Sequence, residues 1–129
     1  MDATTWFTPE IFGISLDEGE DPLPIRLLKK GCDVWLGNMR GTQYSRKHTT
    51  LNSSDPTSDY WNFSWAEKGM LDVPAAIDKI KEETGESKVA YIGASQGTTI
   101  MFYALTKQTE EEYFADNMSS FIALDPCLV

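Results

Sequence analysis

The sequence predicts an α/β fold with a mostly parallel sheet and helices on both of its faces. The first observation is the order of elements, a strand, a helix and a strand predicted over Lys88–Ile92, Gln96–Lys107 and Phe121–Leu124. That order is typical of parallel strands joined by crossover helices. The second is that the first of these strands lacks polar alternation, which is typical of strands buried on both faces. A length of 129 residues predicts one domain over residues 1–129.

Composition and charge exclude several classes of function. Eleven Lys and Arg against twenty Asp and Glu give a net charge of −9, which would repel a nucleic acid. With 41% hydrophobic and 12% aromatic residues, the chain is expected to pack a core. The longest apolar runs are far shorter than the ~20 residues that span a bilayer, so no transmembrane segment is predicted. The first residues predict no signal peptide.

The first third of the chain predicts a loop, a helix and a strand. Residues 1–21 combine turn-forming and acidic residues and end in Asp17–Asp21, which predicts a solvated loop. A helix is predicted over Pro22–Lys30, since basic residues fill its last turn and Gly31 is placed to end it. The strand-forming residues Cys32–Leu36 then predict a strand.

The middle of the chain predicts a long loop and an interrupted helix. Met39–Phe63 is rich in Gly, Thr, Ser, Asn and Asp, and loops of that length are usually functional or disordered. Ser64–Glu67 fits the capping box of a helix N-terminus. Because Pro74 lacks an N–H and clashes with the preceding turn, we expect the helix to restart with Asp72 as its N-cap. Apolar residues then recur at helical spacing up to Gly85, which ends the helix.

One motif carries chemistry. Gly93-Ala94-Ser95-Gln96-Gly97 matches G-x-S-x-G between a predicted strand and a predicted helix, where a serine sits on a tight, strained turn. Glycines are needed two residues before and two after the serine, because side chains there would collide across the turn. The pattern predicts Ser95 as a nucleophile and the backbone N–H of Gln96, at the helix start, as an oxyanion donor.

A serine hydroxyl is a weak nucleophile and needs a general base that is oriented by a carboxylate. The one histidine of the sequence, His48, lies upstream of Ser95, whereas the order typical of this motif is serine, acid, histidine. We therefore expect a structural or surface role for His48. Asp125 lies downstream, but no histidine follows it.

Several segments carry a family resemblance in the same order along the chain. They are Gly31–Gly41, similar to G-Y-D-V-W-L-G-N-x-R-G; Tyr44–His48, similar to Y-S-R-x-H; Trp61–Glu67 and Asp72–Ala75, similar to W-x-F-S-x-x-E and D-L-P-A; Tyr91–Thr99, similar to Y-V-G-H-S-Q-G-T-T; and Ile122–Pro126, similar to A-L-A-P. Long motifs in order are highly specific. Over residues 31–126 the chain resembles the acid lipases, which include lysosomal acid lipase, gastric lipase and fungal steryl ester hydrolases.

The resemblance implies an α/β-hydrolase that cleaves long-chain carboxylic esters, triacylglycerols or sterol esters, through an acyl-enzyme on Ser95. A neutral lipid ester is the implied substrate, and no metal or organic cofactor is implied. Cys32 replaces the family's tyrosine, and Ala94 replaces a histidine that is not the catalytic base. The compartment stays open, because the family implies a secretory or lysosomal lumen or lipid association and the chain shows no signal peptide.

By the same resemblance, several catalytic parts fall outside the chain. The H-G-L segment, which supplies the other oxyanion donor and a strand between the first two predicted strands, would precede Asp2. The triad's aspartate and histidine, and the cap that would meet a lipid interface, would follow Val129. We therefore expect a partial α/β-hydrolase fold without that strand and the C-terminal half, nearly inactive alone. The implied sheet order also separates Cys32 and Cys127 too far for a disulfide.

Two other interpretations stay open. The first is a non-catalytic α/β module that binds acyl lipid or a partner through exposed apolar sheet. An upstream H-G and a downstream D…H in a longer transcript would argue against it. The second is an acyltransferase that uses the same serine, which product analysis with water against an alcohol acceptor would separate from a hydrolase.

Overall fold

The computed structural model describes residues 21–107 and 113–127. The chain divides into two units between Lys47 and His48, and each is described by itself. The loop predicted at residues 1–21 lies outside the described residues except for Asp21, whose carboxylate forms an ion pair with Lys29. The single domain stays a prediction.

The described part of the N-terminal unit contains the predicted helix as α1, Leu23–Lys29. Gly31 follows its end with a φ of 87°, a left-handed conformation that glycine adopts without strain. The Gly31 N–H donates to the Leu28 carbonyl at 2.9 Å, and the Cys32 N–H donates to the Leu27 carbonyl at 3.1 Å. These two hydrogen bonds satisfy carbonyls that the end of a helix leaves open.

The strand predicted at Cys32–Leu36 is wrong. The segment has neither strand nor helix structure, and the side chains of Trp35 and Leu36 are 44% and 55% exposed. A β-strand forms where a neighbouring strand takes up its N–H and C=O groups. Among the described residues, the sheet has two strands and neither includes this segment. A strand-forming composition without a partner therefore leaves the segment irregular.

The predicted loop and the predicted capping box are both present. Within the described residues, Met39–Phe63 has one regular element, a 3₁₀ turn at Asp59–Trp61. At Ser64 the backbone N–H donates to the Glu67 carboxylate at 2.7 Å, and the Ser64 hydroxyl accepts the Ala66 N–H at 3.1 Å. Helix α2, Trp65–Glu67, therefore begins with satisfied amide donors.

The restart predicted at Asp72 is wrong, because the helix continues through this residue. Asp72 has helical backbone angles, and Lys68–Asp72 forms a π-helical turn that leads directly into α3, Val73–Thr84. The first N–H of α3 donates to the carbonyl five residues back. The wider turn takes up the disruption that Pro74 brings to the α-helical hydrogen-bond ladder. As predicted, α3 ends at Gly85, which has a φ of 75°.

The predicted strand, helix and strand are all present in the C-terminal unit. They are β1 (Val89–Ala94), α4 (Gln96–Lys107) and β2 (Met118–Leu124), and the two strands are parallel. A short helix that the sequence did not predict, α5 at Tyr113–Asn117, precedes β2. The Tyr113 hydroxyl donates to Asp78 of α3 at 2.6 Å, which ties α5 to α3. This arrangement confirms the α/β fold class.

The two faces of the sheet differ in burial. On one face Phe121 of β2 packs edge-on against Tyr91 of β1 and against Phe102 of α4, with ring centroids 5.7 Å and 5.3 Å apart. Ile92 and Ile122 are paired across the strands and alternate to the opposite face, where they are 39% and 44% exposed. Burial on both faces, predicted for the first of these strands, is therefore found on one face in the described residues.

A small apolar core fills the space between the helices of the C-terminal unit. Its buried side chains come from α3, α4 and α5, and they are Val73, Ile77, Ile100, Met101, Ala104 and Phe114. At the π-helical turn, a Cβ on Gly69 would lie 2.8 Å from the carbonyl oxygen of Ile100. The turn and α4 therefore approach each other at a distance that excludes a side chain.

The two helical methionines Met101 and Met70 test this core. Met101 is 0% exposed and Met70 is 40% exposed. Met101→Ala should lower the free energy of unfolding by about 2–5 kcal/mol, because it leaves a cavity in a packed interior. Met70→Ala should change it by less than about 0.5 kcal/mol. Urea denaturation of the two variants checks this, and equal losses would contradict the assigned core.

Candidate functional site

The turn between β1 and α4 holds Ser95 in a strained conformation. Ser95 has a φ of 47°, a left-handed value that is uncommon for residues other than glycine and clusters at functional sites. The Ser95 N–H donates to the carbonyl of Leu124, the last residue of β2, at 3.0 Å. The end of the neighbouring strand therefore holds the turn, and the side chain of Ser95 is half-buried.

The two glycines of the motif have different roles in this turn. A Cβ on Gly93 would lie 2.8 Å from the backbone carbon and oxygen of Gly97, a distance that backbone atoms cannot relieve by rotating a side chain. A Cβ on Gly97 would meet the Tyr91 hydroxyl at 3.7 Å, an ordinary contact. The predicted need for glycine is therefore confirmed at Gly93. At Gly97 the prediction is wrong, because a side chain there would make no close contact; only the backbone of Gly97 approaches residue 93.

The half-buried Tyr91 of β1 supports the turn through a hydrogen bond to the first turn of α4. The Tyr91 hydroxyl donates to the Gly97 carbonyl at 3.1 Å. Burial raises the pKa of Tyr91 to about 12, because the charged phenolate would lose its solvation. The hydroxyl therefore keeps its proton, and remains a donor to Gly97, throughout the neutral range.

The carbonyl of Ser95 is held by Thr98 in the first turn of α4. The Thr98 side chain is fully buried. Its N–H donates to the Ser95 carbonyl at 2.9 Å, and its hydroxyl donates to the same oxygen at 2.6 Å. The strained turn is thus hydrogen-bonded at both of its backbone polar groups, the N–H to β2 and the carbonyl to α4.

The segment after β2 docks beside the serine. Asp125 has a φ of 47° and bends the chain out of the strand. The Cys127 N–H then donates to the Thr98 hydroxyl at 3.0 Å, and the Thr99 hydroxyl donates to the Cys127 carbonyl at 2.8 Å. These contacts place the Cys127 sulfur 3.9 Å from the Ser95 hydroxyl oxygen.

The position of Cys127 beside Ser95 was not predicted from the sequence. A signal was available, because Cys127 follows the carboxyl end of β2 and the carboxyl ends of parallel strands meet at one edge of a sheet. The thiols of Cys127 and Cys32 are both free and exposed.

Gln96 begins α4 directly after the serine and is exposed. Its side-chain carbonyl accepts a hydrogen bond from the Lys68 ammonium at 3.2 Å. Lys68 also lies 5.6 Å from the centroid of the Phe63 ring, a distance that permits a cation–π contact. The loop and the π-helical turn thus reach the start of α4, where the amide N–H groups of a helix point outward.

His48 makes structural contacts, as expected. Its Nδ1 atom accepts the backbone N–H groups of Thr50 and Leu51 at 3.1 Å and 2.9 Å. Its ring lies edge-on to the ring of Tyr60, with centroids 6.0 Å apart. An Nδ1 atom that accepts two backbone donors organises the loop that follows it, and it is not oriented by a carboxylate as a catalytic base is.

Residues 21–107 and 113–127 contain neither a metal-binding cluster nor a membrane-spanning helix. In that part of the chain, no three His, Cys, Asp or Glu side chains come together in a group that could hold a metal ion. No helix there combines the length and the apolar character that a membrane crossing needs.

Comparisons with known proteins give one family and a set of similar lipases. Residues 15–128 match a family described as alpha/beta hydrolase fold. The lipase lipl-3 of Caenorhabditis elegans is 49% identical over 96 residues, which are 74% of this chain and 23% of that protein. A probable lipase of Schizosaccharomyces pombe is 42% identical over 113 residues, 88% of this chain and 24% of that protein.

A human protein extends this set. Lysosomal acid lipase/cholesteryl ester hydrolase of Homo sapiens is 44% identical over 100 residues, which are 78% of this chain and 24% of that protein. These names confirm the resemblance to acid lipases. The chain spans about a quarter of the length of the curated relatives it matches.

The glycines on either side of the serine give a matched test of the turn. Gly93→Ala should lower the free energy of unfolding by about 1–3 kcal/mol, because the new methyl group overlaps backbone atoms. Gly97→Ala should leave stability unchanged or raise it by about 0.5–1 kcal/mol, since alanine favours a helix interior more than glycine does. Urea denaturation measures both, and a loss at Gly97 as large as that at Gly93 would contradict the assigned geometry.

Proposed function

Since the chain belongs to the alpha/beta hydrolase family, we propose that it carries the nucleophile of an enzyme that hydrolyses lipid esters. The observation that supports this most is the backbone of Ser95, a non-glycine residue with a φ of 47° between a parallel strand and a helix. Strain of this kind needs surrounding structure to maintain it, and here hydrogen bonds to β2 and α4 maintain it. The same turn presents a nucleophilic serine in hydrolases of this fold.

In the proposed reaction the Ser95 hydroxyl oxygen attacks the carbonyl carbon of the ester. A general base takes the hydroxyl proton, and the carbonyl oxygen becomes an oxyanion. Collapse of that intermediate expels the alcohol, which receives the proton, and leaves an acyl group on Ser95. Water then attacks the acyl-enzyme by the same route and releases the fatty acid. No metal or organic cofactor enters these steps.

We assign the oxyanion donor to the backbone N–H of Gln96. The N–H groups of the first turn of a helix have no partner within the helix and carry its positive dipole end. Gln96 is the first residue of α4 and follows the nucleophile directly. Losing one such donor typically costs about 10²–10³-fold in kcat.

We expect the 129-residue chain to be nearly inactive by itself. The sequence contains one histidine, and the Nδ1 atom of His48 already accepts two backbone N–H groups. Losing a triad member costs a serine hydrolase as much as about 10⁶-fold in kcat. The base and its carboxylate would come from residues that correspond to other parts of the lipase relatives.

The proposed substrate is a neutral lipid ester with a long acyl chain. The relatives are named as lipases, and one of them also as a cholesteryl ester hydrolase. A triacylglycerol and a steryl ester both present the same carboxylic ester to Ser95, so the chemistry at the turn serves either. The proposal therefore commits to the long-chain ester and leaves both alcohols as substrates.

A non-catalytic, lipid-binding or partner-binding module is the second candidate. The observation that favours it is the sheet face of Ile92 and Ile122, which are 39% and 44% exposed. Apolar side chains on a sheet face bind acyl chains or other proteins in many folds. A module of this kind would need no reactive serine, so hydrolysis by a complete lipase that carries this segment separates it from the hydrolase.

A fluorophosphonate probe tests the reactivity of the chain alone. Labelling should stay close to that of Ser95→Ala, because no general base assists the hydroxyl. Ser120→Ala, which removes an exposed serine of β2, is the matched control and should label like the unaltered chain. Mass spectrometry of the labelled peptide measures this. Rapid labelling at Ser95 would contradict the expected lack of a base.

Transplantation tests the nucleophile in a complete catalytic setting. The segment of the human lipase relative that matches this chain is replaced by this chain's residues, and we call the product the transplant protein. It should hydrolyse a fluorogenic long-chain ester, and Ser95→Ala should lower kcat by about 10⁶-fold, whereas Ser120→Ala should not. Circular dichroism verifies folding of each variant. Hydrolysis that survives Ser95→Ala would refute the role of Ser95.

A further inference from the structure

One side chain in the first turn of α4 serves two backbone groups at once. The Thr98 hydroxyl donates to the Ser95 carbonyl at 2.6 Å and accepts the Cys127 N–H at 3.0 Å. The side chain is 0% exposed, so water does not replace these contacts. A hydroxyl has one hydrogen to donate, and here Ser95 receives it.

These contacts determine the orientation of the peptide group between Ser95 and Gln96. A peptide group is planar and trans, so its C=O and its N–H point in opposite directions. Two hydrogen bonds from Thr98, at 2.9 Å and 2.6 Å, hold the carbonyl of Ser95 toward the helix. The N–H of Gln96 is thereby held pointing the other way, out of the first turn.

The strain at Ser95 makes this support necessary. A residue with a φ of 47° is strained, and its conformational free energy falls when the backbone rotates back toward an ordinary region. Such a rotation would turn the Ser95–Gln96 peptide plane and redirect its N–H. The Thr98 hydroxyl opposes that rotation directly, because the second hydrogen bond on the Ser95 carbonyl would break.

We propose that Thr98 is a positioning residue that orients the Gln96 N–H as the oxyanion donor. The inference rests on the roles proposed above for Ser95 and Gln96. The charge that this N–H stabilises develops in the transition state and is absent from the bound ester. The Thr98 hydroxyl therefore contributes to kcat and not to KM.

Thr99 provides a control that separates positioning from simple docking. Its hydroxyl donates to the Cys127 carbonyl at 2.8 Å, so Thr98 and Thr99 both hold Cys127 against α4. In the hydrogen bonds of the described residues, Thr98 also contacts the Ser95 carbonyl, and Thr99 does not. A docking role is thus shared by the two threonines, whereas control of the Gln96 N–H belongs to Thr98.

The first experiment uses the 129-residue chain and needs no catalysis. In a Cys32→Ser background, NMR follows the amide proton of Gln96, and a chromogenic disulfide reagent measures the reaction rate of the Cys127 thiol. Thr98→Val should shift the amide proton and speed the thiol reaction. Thr99→Val should speed the thiol reaction alone, and Thr98→Ser should restore both readouts. An unchanged Gln96 amide in Thr98→Val would overturn the proposal.

The second experiment measures kinetics in the transplant protein. Thr98→Val should lower kcat about 10-fold and leave KM within about two-fold, a smaller loss than removal of the donor itself. Thr98→Ser and Thr99→Val should both keep kcat within about two-fold. Equal losses in Thr98→Val and Thr99→Val, or a loss confined to KM, would overturn the positioning role.

The two proposals fail in different ways. If Ser95→Ala leaves hydrolysis intact, the proposed function fails, and the effect of Thr98 on the Gln96 amide stands as a structural result. If Ser95→Ala abolishes hydrolysis and Thr98→Val leaves kcat unchanged, the positioning role fails alone.

Discussion

A single backbone hydrogen bond, from the Ser95 N–H to the Leu124 carbonyl at 3.0 Å, joins the ends of the two parallel strands. It depends on the pairing that aligns Ala94 with Leu124, because any slip in register would remove its acceptor. The chain must then turn into α4 within one residue. This turn gives Ser95 a positive φ, which residues other than glycine ordinarily avoid. The close approach of Gly93 to Gly97 follows from that sharp turn.

The proposed chemistry uses the same constraint. A serine that is raised on a sharp turn has its hydroxyl accessible, while the helix that begins after it supplies outward amide groups. Thr98 connects the two requirements, since one buried hydroxyl contacts both the strained carbonyl and the segment beyond β2. Stability and proposed reactivity therefore depend on overlapping hydrogen bonds.

Local signals predicted the parts of the fold that local chemistry determines. The end of α3 at Gly85 was predicted from helical spacing and a terminating glycine, which act within a few residues. The strand at Cys32–Leu36 was not, because a strand needs a partner that composition does not reveal. The prediction of Asp72 as an N-cap was wrong because a helix can accommodate a proline without ending, by widening one turn into a π-helical turn. The position of Cys127 beside the serine depends on tertiary contacts with α4.

The π-helical turn at Lys68–Asp72 also sets the rotational phase between α2 and α3. One residue of an α-helix corresponds to about 100° of rotation. Deleting one residue from this turn would restore α-helical hydrogen bonding and rotate α2 about the helix axis relative to α3. Gly69 would leave its position against Ile100, and Lys68 would leave the side chain of Gln96. The one extra residue of the π-helical turn therefore determines which residues of the turn face the start of α4.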